Sequence, residues 1–320
     1  MKSRLVLRFL LSLLLLGLIV YYVSQVDTLD FDLGNIDYSF LVLFIMITYP
    51  LIWSSSMKWR LFISGEKSRI PSQYQLMRFY TISYFANLFL PSSLGGDAAR
   101  SITLGRHLGS QQDAFVATFL ERLSGLLAMS ILAIIALFLS YPLLVDFVIP
   151  VVAMFVVVGA SSVMFFTSFG NRVITFGMDK LRGSQLIHFR LFNVLDGVVR
   201  SHFDVKKSFS LFLTALLWSF LFHFLTVVNT YFAAKVISWS TVNFIDLFVV
   251  VPLVLIVSMI PLSPGGIGIQ EGAFVFLLVK IGASPSQALS VALLLRVKTL
   301  LLAGLGGVFL FSAVKNVNRK

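Results

Sequence analysis

Seven charged residues lie inside or beside long apolar stretches of this 320-residue chain. They are Asp97, Arg100, Glu121, Arg122, Glu271, Arg296 and Lys298. Charge in apolar surroundings is costly, so such groups usually pair with one another or mark the path of a polar ligand. Arginine suits phosphate, because its planar guanidinium donates two parallel hydrogen bonds. The set therefore indicates either an anion-binding site or a structural network of ion pairs.

Sequence spacing limits which of these groups can meet. Asp97 and Arg100 are three residues apart, which places them on one face of a helix. Asp97 is also a suitable N-cap for a helix that starts there. Glu121 and Arg122 are adjacent and must point in different directions, so we expect Glu121 to pair with another segment and Arg122 to face a phosphate.

The same spacing rule separates Arg296 from Lys298, which are two residues apart and also diverge. Glu271 lies one turn after a glycine pair. A buried glutamate such as Glu121 or Glu271 could also carry a proton during transport. Unchanged transport after replacing each with glutamine would exclude that role.

A Pro-x-Ser-x-Gly-Gly pattern occurs twice, once in each half of the chain. Paired glycines allow a tight turn and a close approach of backbone to a ligand. A helix that begins after each turn would direct free N–H groups at an anion. Close helix packing is the alternative use of such small residues. The two patterns add these candidates to the binding set: Ser93, Gly95, Gly96, Ser263, Gly265 and Gly266.

The elements that carry these residues are predicted to be membrane helices. Hydrophobic residues make up 58% of the chain and charged residues 12%, whereas soluble domains have about 25% charged residues. Long apolar runs predict about six spans. These spans are residues 5–23, 39–56, 114–140, 148–168, 208–234 and 287–314. The first run resembles a signal peptide, but bulky Tyr21, Tyr22 and Val23 occupy the cleavage position, which favours a retained helix.

Two apolar stretches stop too early to cross a membrane. They run into the proline and glycine patterns and return, which predicts re-entrant hairpins at residues 79–107 and 244–281. The order span, span, hairpin, span then occurs twice within one membrane domain, 1–320, as repeats 1–140 and 141–320. The two repeats start on opposite sides, so they form an inverted-topology repeat with an anion site near the middle of the bilayer.

The net charge of +11 is arranged as a membrane protein requires rather than as a nucleic-acid surface. Basic residues collect in short segments between spans, such as a predicted loop after the second span that holds Lys58, Arg60, Lys67, Arg69 and Arg78. A longer basic connection at 170–207 has the pattern of amphipathic helices on an anionic leaflet. This distribution predicts that both termini are cytoplasmic. The chain has no cysteine and four scattered histidines, so neither a metal site nor another cofactor is expected.

Three blocks of sequence resemble the lysylphosphatidylglycerol synthase transmembrane-region family. They are FANLFLPSSLGGDAAR at 85–100, ERLSGL at 121–126 and PLSPGGIGIQEG at 261–272. The family includes the flippase half of bacterial lysylphosphatidylglycerol synthase/flippases and stand-alone flippase-like inner-membrane proteins. The resemblance implies a flippase-like role in a bacterial inner membrane. Bifunctional members carry an aminoacyl-transferase domain after the membrane part, and this sequence is expected to be a member without it.

We therefore expect an all-α integral membrane protein that binds or translocates an anionic lipid. The lipid would be a phospholipid or a polyprenyl-phosphate-linked intermediate. Two alternatives remain open: a membrane transferase acting on a lipid-linked sugar, and a scaffold for an envelope-biosynthesis enzyme. A transferase would need a carboxylate base, and only the hairpin acids qualify. The chain is thus more transporter-like than enzyme-like, and its oligomeric state stays open.

Overall fold

The computed structural model describes residues 2–26, 36–64, 70–90, 94–139, 145–167, 170, 172–176, 209–260 and 263–317. Within these ranges the chain is almost entirely α-helical, and no described residue lies in a β-strand. The helices are α1 (Lys2–Val26), α2 (Tyr38–Met46), α3 (Thr48–Leu61), α4 (Gln73–Asn87), α5 (Leu94–Leu108), α6 (Gln111–Leu139), α7 (Val148–Phe166), α8 (Phe209–Val236), α9 (Leu247–Val257), α10 (Ile269–Lys280) and α11 (Pro285–Val317).

Five helical segments in the described ranges are long and apolar enough to cross a membrane. They are Tyr38–Leu61, Gln111–Leu139, Val145–Phe166, Ser210–Val236 and Pro285–Ser312. Shorter apolar helices occur at Leu14–Val26 and Leu247–Val257. The predicted all-α integral membrane class is confirmed. Five of the six predicted spans coincide with these segments, and the first falls within α1, where Leu14–Val26 is the apolar part.

The second span is broken into α2 and α3 at Ile47. Pro50, the third residue of α3, has no N–H to donate to the carbonyl four residues earlier, which explains a break at this point. After the break the helix continues to Leu61, beyond the predicted end of the span at residue 56. Lys58 therefore lies within the helix and is 2% exposed. The prediction that Lys58 belongs to a basic loop is therefore wrong.

Two pairs of short helices occupy the places of the predicted hairpins. We call α4 with α5 the first helix pair and α9 with α10 the second helix pair. These helices have 15, 15, 11 and 12 residues, fewer than the roughly 20 that a full span needs. Their entry into the membrane from opposite sides stays a prediction.

Each helix pair packs against the closing span of the other half of the chain. Helix α4 contacts α11 extensively, and α9 contacts α6. Helices α5 and α10 pack against α6 and α11 of their own halves, and α8 lies against α3 and α6. Reciprocal contacts of this kind are what a two-fold internal repeat would produce, although the inverted topology itself stays a prediction. The connection at 170–207 lies almost wholly outside the described residues.

Candidate functional site

A cavity of about 310 Å³ lies among α3–α6 and α8–α11, between the two helix pairs. Its volume is at the small end of the range for ligand pockets. Seven of the residues predicted from the sequence line it: Asp97, Arg100, Glu121, Arg122, Gly265, Arg296 and Lys298. Charged residues far apart in the sequence therefore meet at one cavity between helices.

Arg100 is the most buried of the predicted cations, at 1% exposure. Its Nη2 contacts Glu121 Oε2 at 2.5 Å, and its Nε donates to Asp97 Oδ1 at 3.0 Å. The guanidinium also lies over the rings of Trp59 and Tyr80, at 4.9 and 4.3 Å. These contacts hold the guanidinium rigidly, and its buried Nη1 has no hydrogen-bond partner among the described residues.

Glu121 joins two cations from different helices. Its Oε2 accepts from Arg100 of α5, and its Oε1 lies 2.7 Å from Lys58 Nζ of α3. Glu121 is 4% exposed, so this is a buried ion-pair network. Glu121 thus pairs with another segment, as expected, and Lys58 is a further partner that the sequence did not suggest.

Arg122 projects into the cavity, beside this network. Its side chain is 36% exposed, and its Nε is 3.6 Å from Asp97 Oδ2, too far for a hydrogen bond. Arg122 Nε and Asp97 Oδ2 are themselves buried, and neither has a hydrogen-bond partner among the described residues. Arg122 is therefore the lining arginine that makes no hydrogen bond to a described residue, and its donors, with Nη1 of Arg100, are available to a ligand.

Arg296 instead binds the turn of the second helix pair. It pairs with Glu271 and donates to the carbonyls of Gly265, at 3.1 Å, and Gly266, at 3.3 Å. It also donates to Gln270 Oε1 at 3.1 Å. Glu271 in turn accepts from the Gly268 N–H at 2.6 Å. The first role of this arginine is to fix the turn, and its donors are largely occupied.

Lys298 diverges from Arg296, as its spacing predicted, and binds neutral oxygens. Its Nζ donates to the Phe44 carbonyl at 2.8 Å and to Asn229 Oδ1. The ammonium also lies 4.3 Å from the centre of the Phe44 ring. The helix break at Ile47 explains why a backbone carbonyl at this position accepts a side chain: no bond from the Thr48 N–H to Phe44 forms.

The two glycine pairs have different roles, although their sequence pattern is the same. Gly95 and Gly96 lie inside the first turn of α5, where a Cβ on Gly96 would come within 2.7 Å of the Ser83 carbonyl. Gly265 and Gly266 have φ values of 57° and 70°, which disfavour other residues. The first pair thus permits close packing of α4 and α5, and the second forms the expected turn.

The predicted N-cap role of Asp97 is wrong. Helix α5 begins at Leu94, so Asp97 lies within its first turn and pairs with Arg100. The N–H of Gly96, which is left free at the start of a helix, donates to Asn87 Oδ1. Both helix N-termini therefore use acceptors from the chain itself, Asn87 in the first helix pair and Glu271 in the second.

The remaining predicted residues lie away from the cavity lining. Gly95, Gly96, Gly266 and Glu271 are behind it, and Ser93 lies outside the described residues. Ser263 is fully buried, and its hydroxyl has no partner in the described part of the chain. No cluster of three or more His, Asp or Glu that could hold a metal ion occurs among the described residues.

Several lining residues were not in the predicted set. The larger polar ones are Lys58, Tyr80, Tyr84, Asn87, His223, Asn229 and Gln270, and seven serines and threonines line the cavity as well. Most are neutral groups on apolar helices, and such residues do not by themselves indicate a binding site in a sequence. His223 is buried, at 8% exposure, and also lines the cavity.

A comparison with protein families identifies a match over residues 5–307. The matching model is described as the lysylphosphatidylglycerol synthase TM region. No curated protein and no solved structure matched the chain.

Proposed function

Because the chain belongs to the lysylphosphatidylglycerol synthase transmembrane-region family, we propose that it binds the head group of an anionic lipid in this cavity and moves the lipid between leaflets. Membership makes it a multi-pass membrane protein related to lipid or envelope biosynthesis. The proposal adds translocation, an anionic substrate, and a bacterial inner membrane with both termini in the cytoplasm.

The observation that carries the proposal is the state of Arg122. Its guanidinium faces the cavity and makes no hydrogen bond to a described residue, whereas Arg100 and Arg296 are held by several acceptors. A guanidinium on a cavity wall with free donors favours a phosphate or carboxylate ligand. Asp97, at 3.6 Å, is close enough to orient it without occupying it.

The cavity dimensions favour a head group rather than a whole lipid. A volume of about 310 Å³ holds a small polar group, so the acyl or prenyl chains must remain outside it. Both helix pairs contribute to the wall, through Arg100 of the first and Gly265 of the second. A relative movement of the two helix pairs would therefore change which side of the protein reaches the cavity.

The experiment is lipid translocation in proteoliposomes with fluorescent phosphatidylglycerol, its lysyl form and a polyprenyl phosphate. Arg122→Gln is expected to lower the rate for the transported lipid about tenfold or more, because a charged hydrogen bond contributes about 1.5–3 kcal/mol. Arg122→Lys, which keeps the charge but not the planar fork, should retain an intermediate rate.

Arg78→Gln is the matched control. Arg78 lies on α4 against Tyr74 and Phe309 and does not line the cavity, so its removal should leave the rate unchanged. Equal loss in Arg78→Gln and Arg122→Gln would contradict a specific role for Arg122. Folded protein that moves none of the three lipids would overturn translocation, and a covalently altered lipid in those vesicles would indicate a transferase instead.

A further inference from the structure

The charges around the cavity do not balance. Five cationic side chains line it: Lys58, Arg100, Arg122, Arg296 and Lys298. Two carboxylates line it, Asp97 and Glu121, and Glu271 lies behind Arg296 as its ion-pair partner. With histidine neutral, the walls therefore carry two positive charges more than negative ones.

The excess is located at two separate places. In the first, Lys58, Arg100 and Arg122 share only the carboxylates of Asp97 and Glu121. In the second, Lys298 has no carboxylate within salt-bridge distance among the described residues, and its acceptors are the Phe44 carbonyl and the Asn229 amide oxygen. The Arg296–Glu271 pair is neutral overall.

Uncompensated charge in a low-dielectric cavity is unfavourable, and a ligand of opposite charge relieves it. A phosphodiester such as phosphatidylglycerol brings one negative charge, and its lysyl derivative brings a net positive one. A phosphomonoester carries about −1.5 to −2 at neutral pH. Only a head group of the latter kind would match both excess charges.

We infer that the cavity is selective for a doubly charged phosphate head group, that is, a lipid phosphomonoester or diphosphate, over a phosphodiester. This inference rests on the proposed function and specifies its substrate class. The cluster of Lys58, Arg100 and Arg122 holds one side of the phosphate, and Lys298 supplies the second positive charge. Asn229 positions Lys298 through its amide oxygen.

The test compares two lipids that share the same acyl chains and differ in head-group charge. Binding of phosphatidic acid and phosphatidylglycerol to the purified protein is measured at pH 7, where the monoester already carries about −1.5 to −2 charges. We expect phosphatidic acid to bind at least tenfold more tightly. Inorganic phosphate is included as a third probe, and it should bind more weakly than phosphatidic acid.

Two variants address the second charge directly. Lys298→Met removes it, and Asn229→Asp neutralises it while keeping an oxygen at the same position. Each should reduce the preference for phosphatidic acid about tenfold and leave phosphatidylglycerol binding within about threefold. Asn229→Asp alone suffices if Lys298→Met does not fold. Lys235→Met is the control, because Lys235 binds the Ser240 carbonyl away from the cavity and its loss should change neither affinity.

The outcomes separate this inference from the proposed function. Equal affinity for the two lipids, or a preference that both variants leave intact, would overturn the inference and leave anionic-lipid binding standing. Binding of neither lipid would overturn the proposed function itself. Inorganic phosphate that binds as tightly as phosphatidic acid would show a site for soluble phosphate and overturn the assignment to a lipid.

Discussion

At the scale of single residues, Glu121 determines whether the buried cations are tolerated. Its two oxygens contact Lys58 at 2.7 Å and Arg100 at 2.5 Å, and all three groups are less than 5% exposed. Glu121→Gln would leave Lys58 without a carboxylate among the described residues and Arg100 with Asp97 alone, so we expect a loss of about 3–5 kcal/mol in stability. Thermal unfolding in a fixed detergent measures it.

A second substitution distinguishes stranded charge from lost packing. Adding Lys58→Met to Glu121→Gln removes the cation that has lost its carboxylate, and the double variant should recover part of the lost stability. Asp146→Asn is the control, because the Asp146 side chain is 70% exposed and its carboxylate makes only a long, 3.8 Å contact with Lys280 Nζ. This substitution should change stability by less than about 0.5 kcal/mol. A Glu121→Gln variant as stable as the parent would show that the network contributes little.

Sequence reasoning succeeded at this scale where helix geometry alone decides the outcome. The three-residue spacing placed Asp97 and Arg100 on one helix face, where they form an ion pair, and adjacency predicted that Glu121 and Arg122 would point in different directions. Lys58 was misplaced, because it stands near the end of an apolar run and close to other basic residues. Its burial depends on helices α5 and α6, which no local pattern reveals.

At the scale of helices, glycines on α11 set its distance from α4. A Cβ on Gly306 would lie 2.1 Å from the Thr81 carbonyl of α4, so Gly306→Ala must push the helices apart. We expect it to cost about 1–3 kcal/mol, the usual range for overpacking. The decrease in thermal unfolding temperature of the detergent-solubilised protein is the measurement.

Gly304 provides the matched control on the same helix. A Cβ there meets nothing within 4 Å, and alanine favours the helix over glycine by about 1 kcal/mol. Gly304→Ala should therefore leave stability unchanged or increase it. Equal destabilisation by both substitutions would mean that backbone flexibility, rather than the close approach to Thr81, is what these glycines provide.

The helices also show why identical motifs gave different structures. Both halves carry Pro-x-Ser-x-Gly-Gly, yet α5 begins at Leu94, before its glycines, whereas α10 begins at Ile269, after them. In the second motif Gly268 follows with φ of 84°, which delays the start of the helix. Whether the glycine pair forms a turn or a packing contact therefore depends on the residues that follow the motif and on the helix that each glycine meets.

At the scale of the whole molecule, the two halves meet at the ends of their helix pairs. The Gly265 N–H of the second pair donates to the Leu90 carbonyl of the first at 3.3 Å. A Cβ on Gly265 would lie 3.1 Å from the Asn87 carbonyl. The sequence predicted the spans and the short helices from length and hydropathy, but which faces meet depends on long-range packing that periodicity does not encode.

Movement between the halves can be tested by cross-linking this contact with a disulfide. The chain has no cysteine of its own, so introduced cysteines can pair only with each other. A Cβ on Gly265 lies 3.9 Å from the Leu88 Cα, so cysteines at these two positions are close enough for a disulfide. If the helix pairs must separate during each transport cycle, oxidation of the Leu88→Cys, Gly265→Cys double variant should abolish lipid movement. Reduction should restore it.

Both single-cysteine variants are the controls, and Gly265→Cys also reports the strain of a side chain at φ of 57°. Oxidant should leave their transport unchanged, since neither can form the bridge. Head-group binding should survive in the oxidised double variant, because the disulfide lies at one edge of a cavity whose charged residues it does not replace. Full transport by a completely cross-linked protein would mean that the lipid crosses without separation of these two ends, and the path would then have to run along another face of α6 or α11.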